Sequence, residues 1–100
     1  MAMNNLAWLQ QWYLSNCNGD WKHGLGISID TLDNPGWSVK ISLIGTYAEN
    51  IRTPGLKREA DDSDWVHCSI SEKEFSGYGG PGNLEEILHI FRTLVEEAEK

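Results

Sequence analysis

From Trp37 to Ile44 the chain alternates. Trp37, Val39, Ile41 and Leu43 occupy every second position, with Ser38, Lys40 and Ser42 between them. Successive side chains of a strand point to opposite faces, so this run is a strand with one dry and one wet side, and it needs neighbours. Two more runs share the pattern. Leu25, Ile27 and Ile29 alternate with Gly26, Ser28 and Asp30 over residues 25–32; Val66, Cys68 and Ile70 alternate with Trp65, His67 and Ser69 over 64–72. Pro35-Gly36 separates the first two strands. A proline at i+1 and a glycine at i+2 predict a type II turn there. Gly45-Thr46 is read as a tight turn into a further strand over 47–52. Residues 53–64 read as a loop, opened by Pro54-Gly55 and closed by Glu59, Asp61, Asp62 and Asp64. The stretch Gly77-Tyr78-Gly79-Gly80-Pro81-Gly82 is read as a lead-in loop, because glycine density of this kind disfavours a regular element.

Helical spacing brackets the strands. Residues 5–17 predict a first helix, capped by Asn4 or Asn5, with Leu6, Leu9 and Tyr13 on one face, Trp12 on its flank, and a stop near Asn18-Gly19. A second helix follows Asn83. Leu84, Ile87, Leu88, Phe91 and Val95 form its stripe, and Glu86 stands three residues after Asn83 as in a capping box. With 100 residues there is room for one core, so residues 1–100 are taken as a single domain. The expected fold class is α+β: a four-stranded antiparallel meander sheet with the N-terminal and C-terminal helices packed on one face. Antiparallel sheets commonly leave the other face wet. That face would carry Ser28, Asp30, Lys40, Ser42, Trp65, His67 and Ser69.

Charge narrows the partners. Fifteen acids against eight bases leave a net charge of -7, which speaks against nucleic acid and against an anionic membrane surface. No apolar run approaches the ~20 residues of a membrane-spanning helix. Met1-Ala2-Met3-Asn4-Asn5 lacks the basic and apolar regions of a secretory signal, so Cys17 and Cys68 are expected reduced and the location cytoplasmic. The oligomeric state is open. Five tryptophans (Trp8, Trp12, Trp21, Trp37 and Trp65) are many for this length, and some belong at core edges or on a contact surface.

Chemistry-bearing patterns are sparse. Cys17, His23, His67, Cys68 and His89 show no metal-ligand spacing, so no metal and no cofactor is expected. Cys17 lies near a helix C-terminus and Cys68 on an apolar strand face, both poor places for a thiolate nucleophile. The binding candidates are Asp20, Trp21, His23, Asp30, Lys40, Asp61, Asp62, Asp64, Trp65 and His67: aromatic anchors among carboxylates. Each also has a plain reading. Asp33 and its like cap turns, Trp65 covers a neighbouring strand and the stem of Lys40, and the run from Glu59 to Asp64 is a solvated loop.

The blocks Trp8-Leu9-Gln10-Gln11-Trp12-Tyr13, Cys17-Asn18-Gly19-Asp20-Trp21-Lys22-His23 and Thr31-Leu32-Asp33-Asn34-Pro35-Gly36-Trp37 stand in this order. In them the chain resembles the immunity protein 53 family. The resemblance implies a bacterial immunity protein that binds and neutralises the toxin domain of a polymorphic toxin system by stoichiometric inhibition. It implies no enzyme. Some relatives carry a sulfurtransferase label, but no cysteine loop is present here to cradle a persulfide. With this acidity, the cognate toxin is expected to be basic. Two alternatives come from other classes: a small enzyme, sulfurtransferase-like or a hydrolase, using His67 or His23; and a small-ligand or peptide-binding module on the open sheet face.

Overall fold

The computed structural model describes residues 4–16, 26–46 and 48–98. Its elements are α1 (Asn5–Ser15), β1 (Ile27–Leu32), β2 (Gly36–Ser42), β3 (Leu56–Asp61), β4 (Asp64–Ser71), β5 (Glu74–Gly79) and α2 (Leu84–Ala98). The architecture is α+β, with five strands rather than four. They lie in the order β1-β2-β5-β4-β3, and every neighbouring pair is antiparallel.

The topology corrects the expected meander. Two hairpin systems, β1–β2 and β3–β4–β5, are joined through β5, which pairs with β2 on one side and β4 on the other. The glycine-rich stretch is therefore not a lead-in loop over its whole length, because its first half closes the central strand. Glycine serves there for close approach. A Cβ on Gly77 would stand 2.5 Å from Cγ2 of Ile87, and one on Gly79 would stand 3.1 Å from Cδ1 of the same residue. Bare backbone at these two positions lets α2 lie directly on the sheet. The expected strand at 47–52 is absent among the described residues, since 48–50 are turn and 51–55 irregular. The expected loop at 53–64 instead contains β3, which forms a hairpin with β4 through a bulge between Glu59 and Asp61. The turn between β1 and β2 also differs. The Asn34–Pro35 peptide is cis, and Gly36 does not adopt a positive φ; it opens β2, where any Cβ would collide with the carbonyl oxygen of Gly79.

The dry face is as expected for β2 and β4. Val39, Ile41, Val66 and Cys68 are buried there with Phe75 of β5. The edge strand β1 is less covered than its pattern suggests: Ile29 remains 38% exposed. Leu25 lies outside the described residues. α2 packs on β4 and β5 through Ile87, Leu88, Phe91 and Val95. α1 packs beside α2 and enters the same core through Leu9 and Trp12. Phe91 is the junction, meeting Trp12 edge-on at 5.1 Å, Trp8 at 5.9 Å and Phe75 at 5.0 Å between ring centroids.

Helix ends follow their side chains. The Ala7 N–H donates to Asn4 Oδ1 at 2.7 Å, the expected cap. α1 stops at Asn16, two residues before Asn18, and the buried Asn16 amide donates back to the Trp12 carbonyl at 2.8 Å. The inward side of α1 is Trp8, Leu9 and Trp12. Leu6 and Tyr13, expected on that side, are 54% and 48% exposed. Of the tryptophans, Trp37 sits at the core margin with its indole N–H donating to the Pro81 carbonyl at 3.0 Å. None of the described helices is long and apolar enough to cross a membrane.

Candidate functional site: the uncovered sheet face

The second face of the sheet is built by strict alternation. Register places one residue from each strand in a row: Lys57 (β3), His67 (β4), Tyr78 (β5), Ser38 (β2) and Asp30 (β1). A second row runs Ser69, Ser76, Lys40, Ser28. No described helix or loop covers these rows. Trp65 and His67 point to this face, as their alternation with Val66 and Cys68 requires.

Trp65 has company that the sequence did not indicate. Glu59 of β3 stands directly opposite it. The His67 ring meets the indole edge-on at 5.2 Å between centroids. His67 Nε2 lies 3.3 Å from Glu59 Oε2, an ion pair whenever the imidazole holds both protons. That contact lacks hydrogen-bond geometry, and Nε2 has no hydrogen-bond partner among the described residues. Lys57 approaches the other Glu59 oxygen at 3.6 Å. The arrangement is an indole ringed by a carboxylate, an imidazole and an ammonium at the outer edge of the sheet. A shallow groove of about 470 Å³ continues from it between Pro54–Lys57 and the face carried by His67, Ser69 and Tyr78. Lys40 lies elsewhere, in the Ser69 row beyond β5, so its stem does not support Trp65.

The acidic residues divide by role. Asp61 accepts from the Ser63 N–H at 2.8 Å and its hydroxyl at 3.0 Å, closing the β3–β4 turn in which Asp62 stands exposed. Asp64 belongs to a brace. Arg58 Nη2 donates to Asp64 Oδ1 and Glu86 Oε1, both at 2.7 Å, and Nε donates to Glu86 Oε2 at 2.9 Å. The Asn83 amide donates to the same two carboxylates at 3.0 Å each, while its Oδ1 accepts from the Trp65 N–H at 3.3 Å. Glu86 therefore bonds the side chain of Asn83, a variation on the expected capping box, in which it would meet the backbone N–H. The guanidinium hydrogen bonds, joined by those from Asn83, hold both carboxyls below their ordinary values and push Arg58 up. The brace ties the start of α2 to the sheet behind Trp65. On the far edge, Asp30 accepts from the Ser28 hydroxyl at 3.1 Å.

Thiol chemistry finds little support. Burial pushes the Cys68 thiol up to about 11, so it stays protonated near neutrality. No cluster of three metal-ligating side chains occurs among the described residues. Asp20, Trp21, His23 and Cys17 lie outside the described residues. Lys57, Arg58, Glu59 and Tyr78 are the site residues that sequence reasoning missed, because β3 and β5 were read as loops. The signal was present as Leu56-Lys57-Arg58-Glu59, where long side chains alternate between a helix-facing cation and an open-face ion pair.

Compared with known protein families, residues 6–96 match the family model described as Immunity protein 53. The match reaches well beyond the three blocks of the first half, and takes in all five strands and nearly all of α2. Among curated proteins and solved structures, none matches the chain.

Proposed function

The chain belongs to the immunity protein 53 family, and from that premise we propose that it neutralises one cognate toxin domain by stoichiometric binding, without turnover, through its uncovered sheet face. The observation that carries this reading is the Trp65–His67 pair with Glu59, held on β3 and β4 with no layer above it among the described residues. An indole on a stiff scaffold loses little conformational freedom on binding and supplies much contact area. The Glu59 carboxylate opposite it suits a cationic side chain of the partner, which the ring face also attracts.

Lys40 and Asp30 extend the proposed contact across the sheet. Asp61 and Asp62 contribute negative field at the hairpin tip, as does Asp64 in part, since Arg58 offsets its charge. Asp20, Trp21 and His23 belong to the same proposal on the sequence alone. The toxin is taken to be basic, and the site of action cytoplasmic. A buried, protonated Cys68 supports inhibition over persulfide chemistry.

The test is co-expression with the toxin encoded beside this gene, followed by titration calorimetry of the purified pair. Rescue that scales with dose, a binding ratio near one, and at least tenfold weaker binding by Trp65→Ala are expected. Rescue at strongly substoichiometric levels that vanishes in His67→Ala would point to an enzyme instead.

A further inference from the structure

The two edges of the sheet are unequal. β3 carries Lys57, Arg58 and Glu59 and is interrupted by the Glu59/Asp61 bulge, both devices that discourage pairing with another strand. β1, Ile27–Leu32, has no lysine, arginine, proline or bulge, and Asp30 is its one charge. Its apolar row is also incompletely covered, with Ile29 38% exposed.

The backbone groups of β1 that have no partner among the described residues can be assigned. The Ser42 N–H donates to the Gly26 carbonyl at 2.9 Å, so this pair is hydrogen-bonded across β1–β2. Antiparallel pairs alternate. Ser28, Asp30 and Leu32 therefore turn their N–H and C=O groups toward β2. Ile27, Ile29 and Thr31 turn theirs outward.

We infer that β1 is a self-pairing edge: two copies of this chain associate through antiparallel β1–β1 contact centred on Ile29, giving one continuous ten-stranded sheet. The register is dictated by matching outward-facing groups. Centring on Ile29 sets Ile29 against Ile29 and Ile27 against Thr31 on the helix side, and Ser28 against Asp30 twice on the open side. All three outward residues of each copy then bond. Centring on Asp30 would oppose two carboxylates instead, at a cost.

Charge distribution agrees with a second copy as the occupant. Each chain carries -7, but the dense acids at Asp61, Asp62 and Asp64 lie on the β3–β4 hairpin, at the edge farthest from β1. At roughly 4.8 Å per strand, the hairpins of the two copies end about 40 Å apart, several Debye lengths at physiological salt. Because, among the described residues, β3 is the blunted edge and β1 the one suited to pairing, association closes as a dimer and does not propagate. A strand about 20 Å long buries a strip on the order of 600–800 Å² in total, below a standard interface, so the dimer is weak and concentration-dependent.

Sedimentation of the full chain from about 10 μM to 1 mM tests this, with amide hydrogen exchange at both extremes. The expected result is a monomer that becomes a dimer, with slower exchange at Ile27, Ile29 and Thr31 and no change along β3. Ile29→Lys, at an exposed position, is expected to weaken association at least tenfold and leave the thermal midpoint within a few degrees. A wild-type chain monomeric at 1 mM overturns the inference. So does a dimer whose β1 amides stay unprotected, or one that Ile29→Lys leaves intact. Loss of toxin capture by Ile29→Lys in a chain monomeric throughout would assign the edge to a strand of the toxin and overturn self-pairing.

Discussion

Gly77 and Ile87 meet where the first carbon of a side chain would have to go. Alanine at 77 must displace Cγ2 of Ile87 or lift α2, so Gly77→Ala is expected to destabilise by about 1–3 kcal/mol, the range for overpacked cores, measured by urea unfolding. Trp65 and Phe91 make the opposite comparison. Phe91 touches three other aromatic rings at the centre of the core, and Phe91→Ala should cost about 3–5 kcal/mol. Trp65→Ala should cost well below that while weakening toxin binding. A similar stability loss in both would mean that Trp65 is a core residue. Single residues were also where sequence reasoning was most exposed to error. The faces of Trp65, His67, Lys40 and Asp30 followed from alternation alone. The partners Glu59 and Lys57 did not, because the alternation of Leu56-Lys57-Arg58-Glu59 sets charge on both faces and so lacks the apolar contrast by which a strand is read.

The β4–β5 hairpin explains the largest element missed. Its two-residue turn is Glu72-Lys73, both with positive φ (53° and 62°), where asparagine and glycine are the usual occupants. Without that signal the hairpin was invisible, and β5 went with it. The same fact gives a prediction: Glu72→Asn with Lys73→Gly should stabilise by about 1 kcal/mol by removing side-chain strain from the left-handed region, despite loss of the exposed Lys73–Glu49 contact. Thermal denaturation checks it. The start of α2 supplies a pH test. Asp64 and Glu86 are held below their ordinary values of 3.8 and 4.5 by Arg58 and Asn83. A depressed carboxyl contributes stability above its unfolded value, and that contribution fades as pH falls through the folded value. Arg58→Met should therefore lower the melting temperature near pH 6, and the gap to wild type should narrow toward pH 2. A gap that stays constant would mean the brace acts through packing alone. Both helices and three of five strands were legible from period and caps. α1 was misjudged in phase, since its apolar residues surround the helix and only tertiary packing selects Trp8, Leu9 and Trp12.

At the scale of the whole molecule the described residues show a layered asymmetry: helices and an aromatic core on one side of the sheet, and on the other a polar face with an indole and no described layer above it. Its net charge of -7 acts at this scale. Association with a basic toxin should slow steeply as salt rises from about 50 mM to about 500 mM, while dissociation changes little, because steering is screened and close contacts are not. Stopped-flow measurement separates the two rates, and an on-rate indifferent to salt would remove the steering role. Central placement of β5 has one more consequence. The hairpins on either side share no strand contact with each other, and the strand that welds them is the last of the five in chain order. During synthesis, neither sheet half can acquire its neighbour until residue 79 has left the ribosome tunnel, so the open face is assembled in one late step rather than strand by strand.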